Sequence, residues 1–287
     1  MDEKKIAWVQ GKWRGNAVST MDWYVETLES HVSEDTIVIL PELCHTAYFP
    51  KEESPENFDL ALTAEHAFFK QIGALAAKTR SVIVFPFFEK RHRGIYHNTA
   101  AVFDRDGSMA GLYRKSHIPD DPGFYEKFYF HPGDTGLRPI QTSLGSLGVL
   151  ICWDQWFPEA ARVTALRGAD VLIYPTAIGW DTEEPESVYA DQLESWRVSM
   201  RGHAVANGIF TAAVNRVGKE GTLNFWGNSF VAGPTGRVLQ QCSATEEGYF
   251  QMTINMDEME AQRRMWPFFR DRRIDQYDDL LRRWIDE

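Results

Sequence analysis

At 287 residues, 44% of them hydrophobic, the chain can bury a large core and is expected to fold as one α/β domain over 1–287. A formal net charge of -11 excludes a non-specific nucleic-acid binder and suits a protein that attracts small cations. Cys44, Cys152 and Cys242 make an odd count with no CxxC pair, which excludes a disulfide framework or zinc knuckle.

The chain starts Met1-Asp2-Glu3-Lys4-Lys5 without the long apolar stretch of a signal peptide, and no run reaches membrane length. The expectation is a cytoplasmic protein with no membrane and no nucleic-acid partner. Ile6 to Gln10 and Thr36 to Leu40 read as buried strands around a helix near Met21 to Ser30. A second helix, Ala64 to Thr79, places Phe68, Ile72, Leu75 and Ala76 on one face and gives way to a strand at Val82 to Phe87. Thr99 to Phe103 and Met109 to Tyr113 flank the turn-forming Asp104-Arg105-Asp106-Gly107 and form a hairpin. Gly148 to Ile151 is a buried strand, and Pro158 suits the first turn of a helix that continues through Arg167. Strands follow at Val171 to Tyr174, Ile209 to Val214 and Ser229 to Ala232, with a long helix from about Val188 to Ala206 and a turn at Gly233-Pro234-Thr235-Gly236. Alternation of this kind needs helices covering sheet faces.

Three residues stand just past apolar strands, where open α/β folds gather their chemistry. Cys152 follows Leu150-Ile151 and precedes Trp153-Asp154-Gln155-Trp156-Phe157-Pro158-Glu159. Glu42 follows Ile37-Val38-Ile39-Leu40-Pro41. Lys115 follows Leu112-Tyr113-Arg114 and precedes Ser116-His117-Ile118-Pro119. Taken singly, a buried cysteine is a small hydrophobe and a lysine or glutamate a solvated charge; one pocket could collect all three.

These segments, in this order, resemble the Glu, Lys and Cys motifs of the nitrilase superfamily of carbon-nitrogen hydrolases. Glu126, in Gly123-Phe124-Tyr125-Glu126-Lys127-Phe128-Tyr129-Phe130, matches a further family glutamate. Within the superfamily the text is most similar to the N-carbamoylputrescine amidohydrolase branch, on Tyr113 to Pro119, Glu126 to Asp134, Ile151 to Ala161, Tyr174 to Gly179, Asn215 to Gly218 and Phe225 to Phe230. The resemblance implies a four-layer α-β-β-α sandwich, no cofactor and no metal, and a homodimer or higher even-numbered homo-oligomer. It also implies that a tail from about 257, with Met265-Trp266-Pro267-Phe268-Phe269 and Arg270 to Arg273, contacts a partner subunit.

Hydrolysing an unactivated amide or ureido carbon requires a nucleophile, a proton shuttle and oxyanion stabilisation. The expected roles are Cys152 as nucleophile, Glu42 as general base, and Lys115 with the Trp153 N–H on the oxyanion; the resemblance adds Glu126 to orient Lys115 and the leaving nitrogen. A papain-like pairing with His117 and a metal pair at Cys44-His45 have less support, and P-loop, GxGxxG and GxSxG motifs are absent.

The family's carbamoyl amino-acid hydrolases can hold a carboxylate with an arginine beside the cysteine; here Trp153, Asp154, Gln155 and Trp156 stand there instead. Aromatic walls with acidic contacts suit an aliphatic chain ending in an ammonium. By resemblance, Tyr48, Tyr125 and Trp153 match aromatic positions of the N-carbamoylputrescine amidohydrolase branch and are the expected contacts to the aliphatic chain's methylenes, with Asp181, Glu183 and Glu184 the candidates for its amine. The expected reaction takes N-carbamoylputrescine to putrescine, ammonia and carbon dioxide. The alternatives are another ω-amide or N-carbamoyl substrate such as N-carbamoyl-β-alanine and, in other classes, a metal-dependent phosphoesterase or an inactive binding protein.

Overall fold

In four strands, successive side chains enter two different hydrophobic cores, and this alternation sets the layers of the molecule. The computed structural model describes residues 2–286. In β1 (Glu3–Gln10), Ile6 and Trp8 enter one core while Ala7 and Val9 enter the other. In β2 (Thr36–Ile39), Ile37 and Ile39 oppose Val38; in β3 (Val82–His92), Val82 and Val84 oppose Ile83 and Phe85; in β4 (Ile95–Phe103), Ala100 and Val102 oppose Ala101 and Phe103. A strand covered on both faces reads as a continuous apolar run, which is why Ile37 to Leu40 shows no polar alternation.

The outer core is closed by α1 (Ala17–His31) and α2 (Ala67–Thr79), through Met21, Tyr24 and Leu28 of the first and Phe68, Ile72 and Leu75 of the second. The sheet beneath them ends at β5 (Met109–Arg114). The second half of the chain builds a second sheet from β6 (Ile140–Thr142), β7 (Gly145–Val149), β8 (Val171–Pro175) and, after the short β9 (Gly179–Asp181), β10 (Phe210–Val214). It is covered by α3 (Pro158–Leu166) and α4 (Tyr189–Asn207). After β11 (Val217–Glu220) and β12 (Leu223–Trp226), which join β9 in a three-stranded sheet, β13 (Phe230–Ala232) and β14 (Val238–Gln241) complete the second sheet.

The strand orders are β15-β1-β2-β3-β4-β5 and β14-β13-β10-β8-β7-β6, where β15 (Gly248–Asn255) returns antiparallel along β1 before α5 (Met256–Met265). Each sheet has a parallel centre, β1-β2-β3 and β7-β8-β10. The two sheets share the inner core, with Ile6, Trp8, Ile37 and Val84 on one side and Leu147, Val149, Val171 and Phe210 on the other. The result is the expected α-β-β-α sandwich in one domain. No described helix is long and apolar enough to cross a membrane.

The helix expected from Ala64 begins at Ala67, where the His66 ring accepts the Phe68 N–H. The hairpin across Asp104–Gly107 forms as expected. A longer hairpin was not anticipated: β3 runs on to His92 and returns as β4, pairing nine residues of each strand. Its tip, Lys90-Arg91-His92-Arg93-Gly94, carries no apolar periodicity to mark it as strand, and only Gly94, at φ 74°, signals the turn.

Candidate active site

Three strand ends deliver the chemistry. Beyond β2 the chain keeps one more sheet bond, Leu40 N–H to the Val84 carbonyl, then turns through Pro41 and Glu42 to Leu43 in the left-handed region (φ 47°). Beyond β5, Lys115 is clamped on both sides of its backbone: its N–H donates to Asn98 O (2.9 Å) and its carbonyl accepts from Gly133 (2.8 Å). A Cβ on Gly133 would lie 2.0 Å from the Arg114 carbonyl oxygen, so only glycine allows that approach. Beyond β7, Cys152 opens a short 3₁₀ turn, Cys152–Trp156, at φ 41°, a conformation that costs a non-glycine residue roughly 1–2 kcal/mol. The strain presents the thiol at the sheet's end, next to the open cavity.

The side chains converge. Lys115 Nζ bonds Glu42 Oε1 at 2.8 Å and Glu126 Oε2 at 2.7 Å, and all three are fully buried. Asn98 Nδ2 donates to Glu42 Oε1 (2.7 Å) and the Tyr48 hydroxyl to Glu126 Oε1 (2.7 Å). Glu42 Oε2 is buried without a partner, so the carboxylate has one free oxygen with which to take a proton.

The electrostatics follow from one cation between two carboxylates. Burial works against the Lys115 charge, but Glu126 and Glu42 more than offset it and hold the ammonium above its ordinary range. Burial pushes the Glu126 carboxyl up to about 7, Lys115 pulling it down and Glu42 pushing it up. Burial raises Cys152 well above a free thiol; Glu42 raises it further, while Lys115 and a hydrogen bond from the Ala177 backbone lower it. At rest Cys152 is therefore a protonated thiol, and any attack by its sulfur needs a base.

Sequence reasoning missed the residues that hold this arrangement. Asp154, fully buried, accepts the Ile151 N–H (2.9 Å) and the Tyr113 hydroxyl (2.7 Å) on Oδ2, and the His117 N–H (3.0 Å) on Oδ1, where the His117 ring also bonds (2.6 Å). It ties the cysteine turn to the segment carrying Lys115. His117, whose ring stacks on Phe157 at 3.7 Å, is part of that tie. Gln155 binds Trp196 Nε1 (2.8 Å) and, through its carbonyl, Ser199 and His203 of α4. Asn98, between His97 and Thr99, stands one residue before the strand expected from Thr99, and no apolar run in the sequence marked it.

Cys152 opens onto a cavity of about 640 Å³, a size that holds a small ligand with room to spare. Its apolar wall includes Phe124, Trp153, Trp156, Ile178 and Trp226; its acidic residues are Asp121, Glu126, Asp181, Glu184 and Asp191. No lysine or arginine among the described residues lines it. Of the expected substrate contacts, Trp153, Asp181 and Glu184 are on this wall, and Asp121 and Asp191 join them unanticipated. Tyr48, Tyr125 and Glu183 are not on it. Tyr48 is fully buried behind Glu126, the Tyr125 N–H is anchored on Pro50 O (2.8 Å) while Phe124 takes the wall, and Glu183 is exposed with its N–H on Asp181 Oδ1 (3.0 Å).

Comparison with known proteins agrees with this geometry. The family model described as carbon-nitrogen hydrolase matches residues 5–264. The chain is 42% identical over 262 residues to an N-carbamoylputrescine amidase of Arabidopsis thaliana, covering 88% of this chain and 86% of that protein. It is 41% identical over 253 residues to a citrullinase of Francisella tularensis, covering 86% and 87%. A crystal structure of a carbon-nitrogen hydrolase from Helicobacter pylori superposes with a TM-score of 0.93 at 45% identity, over 99% of this chain and 100% of that one.

Proposed function

The chain belongs to the carbon-nitrogen hydrolase family, and from that premise we propose that it hydrolyses N-carbamoylputrescine to putrescine, ammonia and carbon dioxide with Cys152 as nucleophile. Carbon-nitrogen bond hydrolysis follows from membership; the substrate rests on one observation, a cavity lined, among the described residues, by five acidic side chains and no lysine or arginine. The Cys152 thiol gives its proton to the free oxygen of Glu42 as sulfur attacks the ureido carbon. Lys115 and the Trp153 N–H take the oxyanion, and the proton on Glu42 leaves with ammonia. Glu126 keeps Lys115 in place and faces the departing nitrogen. Water, deprotonated by Glu42, then cleaves the S-carbamoyl intermediate to a carbamic acid, which loses carbon dioxide to leave putrescine.

N-carbamoylputrescine is citrulline without its carboxylate, and that group decides between the activities named for the two relatives. A carboxylate among Asp121, Asp181, Glu184 and Asp191 meets only like charge, which costs several kcal/mol. The ammonium of N-carbamoylputrescine meets attraction, with Trp153, Trp156 and Trp226 along its methylenes. Ammonia release should show kcat/KM for N-carbamoylputrescine at least about 100-fold above those for citrulline and N-carbamoyl-β-alanine, since each ~1.4 kcal/mol is tenfold. Equal or reversed preference would remove the polyamine reading and leave the nucleophile.

The tail carries a second expectation. Beyond α5, Trp266, Phe268, Ile274, Leu280, Leu281, Trp284 and Ile285 are exposed, with Leu281 at 91%, a density of apolar side chains that a solitary chain does not leave in water. The tail from about 257 is proposed to cover a second copy of the chain. Sedimentation should give an even-numbered oligomer, and truncation after Arg273 should yield a smaller species; a full-length monomer would overturn the assignment.

A further inference from the structure

The two oxygens of Glu126 are held from different directions, Oε2 by Lys115 and Oε1 by the Tyr48 hydroxyl. Tyr48 lies in an irregular loop, so its hydroxyl is only as well placed as its backbone. That backbone is fastened from β11. The Tyr48 N–H donates to Glu220 Oε2 at 2.6 Å, and Glu220 is paired with Arg216 at 2.9 Å. Arg216 Nη2 also donates to the Thr46 carbonyl (2.9 Å), with the guanidinium over the Phe225 ring at 5.1 Å. The side chains of Arg216 and Glu220 are 2% and 8% exposed. A buried ion pair is often no more stabilising than apolar residues of the same volume, so this pair is poorly explained by stability alone. Both partners spend hydrogen bonds on the backbone of one loop, at Tyr48 and Thr46, between Glu42-Leu43 and the 3₁₀ turn that starts at Phe49.

We propose that the buried Arg216–Glu220 pair positions the reaction machinery: by fixing the Thr46–Tyr48 segment it sets the Tyr48 hydroxyl on Glu126 and keeps that carboxylate turned toward Lys115. Arg216 and Glu220 are positioning residues, acting through Tyr48. The inference rests on the reading that Glu126 takes part in catalysis.

The charged and titratable groups facing Glu126 are Lys115 at the end of β5, Glu42 beyond β2, Tyr48 on its own loop and Cys152 beyond β7. Burial raises Glu126 to about 7, and the bonds from Lys115 and Tyr48 are what keep it from going higher. The Tyr48 hydroxyl is itself pushed well above the ordinary phenol range by burial and by Glu126, so it stays a donor. Loss of its bond moves Glu126 upward, and an activity that needs the ionised carboxylate then fails at higher pH.

The test is the pH profile of ammonia release by the full-length enzyme, read beside the pH dependence of Cys152 alkylation by iodoacetamide, which needs no substrate. The Tyr48→Phe variant should move the acid limb of ammonia release to higher pH and lower kcat about tenfold with little change in KM, while alkylation should extend to lower pH, because a neutral Glu126 no longer raises the Cys152 thiol. Glu220→Gln should do the same to a smaller extent, and the double variant should be no worse than Tyr48→Phe alone, because the path runs through a hydroxyl already removed. Should Glu220→Gln fail to fold, Arg216→Met with Glu220→Leu removes both charges together, leaves no ion unpaired, and should shift the limb alike. Additive losses with unmoved pH limbs would make the pair a structural contact and overturn the inference. Glu126→Gln separates the two levels: if it keeps full turnover, the catalytic reading of Glu126 fails, whereas if it loses turnover while Tyr48→Phe keeps the native profile, only the positioning inference fails.

Discussion

Cys152→Ala should lower kcat/KM for ammonia release by at least about 10⁴-fold and leave the fold and substrate binding in place. The size follows from the chemistry that remains. Lys115, Glu42, Glu126 and the Trp153 N–H keep their places, so a bound substrate still meets oxyanion donors, but no covalent intermediate can form. The thiol is protonated at neutral pH because burial and Glu42 raise it more than Lys115 lowers it. In the proposed mechanism the free oxygen of Glu42 receives that proton, and without sulfur it has none to receive. The backbone is not disturbed, since alanine keeps the Cβ at φ 41° and the strain with it. Neither remaining cysteine substitutes. Cys44 donates to the Pro86 carbonyl (3.2 Å) and Cys242 accepts from Trp8 Nε1 (3.1 Å), and burial pushes the Cys242 thiol up to about 12. Of the three thiols only Cys152 lines the cavity, so iodoacetamide should label the native enzyme once, there, and the Cys152→Ala variant not at all. Calorimetric binding of N-carbamoylputrescine within about threefold of wild type would show that only the chemical step was lost; undiminished turnover would remove the mechanism.

What made the site legible was position rather than composition. Glu42, Lys115 and Cys152 each follow an apolar run, and a run of that kind is a strand buried on both faces whose end must open toward the loops. Nothing comparable marks Asn98, Asp154, Arg216 or Glu220. Asp154 lies two residues beyond Cys152 and reads as one polar residue among aromatics, although four groups converge on its carboxylate. Arg216 and Glu220, four apart, look like a solvated pair until the sheet β9, β11 and β12 buries them. Tyr48 and Tyr125 were assigned to the cavity because they match aromatic positions of the branch that the sequence resembles. Which way a loop side chain turns depends on partners distant in sequence: Glu126 is 78 residues from Tyr48, and Glu220 172 residues away. Local pattern carries the strands and helices, whereas loop orientation is decided by these long-range bonds.

Lys115→Met should abolish activity and also destabilise the protein, with a pH dependence that separates the two effects. Methionine matches the length of the side chain and removes its charge, leaving Glu42 and Glu126 buried around an apolar group. Breaking a buried ion pair from one side costs about 3–5 kcal/mol, because the surviving charge has nowhere to go. Here two carboxylates survive, so one must take up a proton. In the variant, then, a folded-state carboxyl titrates well above its unfolded value near ~4.3, and stability is greatest while both carboxyls are protonated and falls as pH rises through that interval. The wild type carries a smaller cost of the same sign, from Glu126 raised to about 7, because the Lys115 ammonium, held above its ordinary range, offsets part of the burial of the two carboxylates. The gap in Tm between wild type and variant should accordingly widen from about pH 5 to about pH 8. Activity should not return at the acid end, where the variant is most stable, because protonating Glu42 removes the base and the oxyanion has lost its cation. A Tm gap independent of pH would mean that the carboxylates, rather than being neutralised by Lys115, are solvated in some other way. Recovery of turnover at low pH would mean that Lys115 serves only to hold the fold.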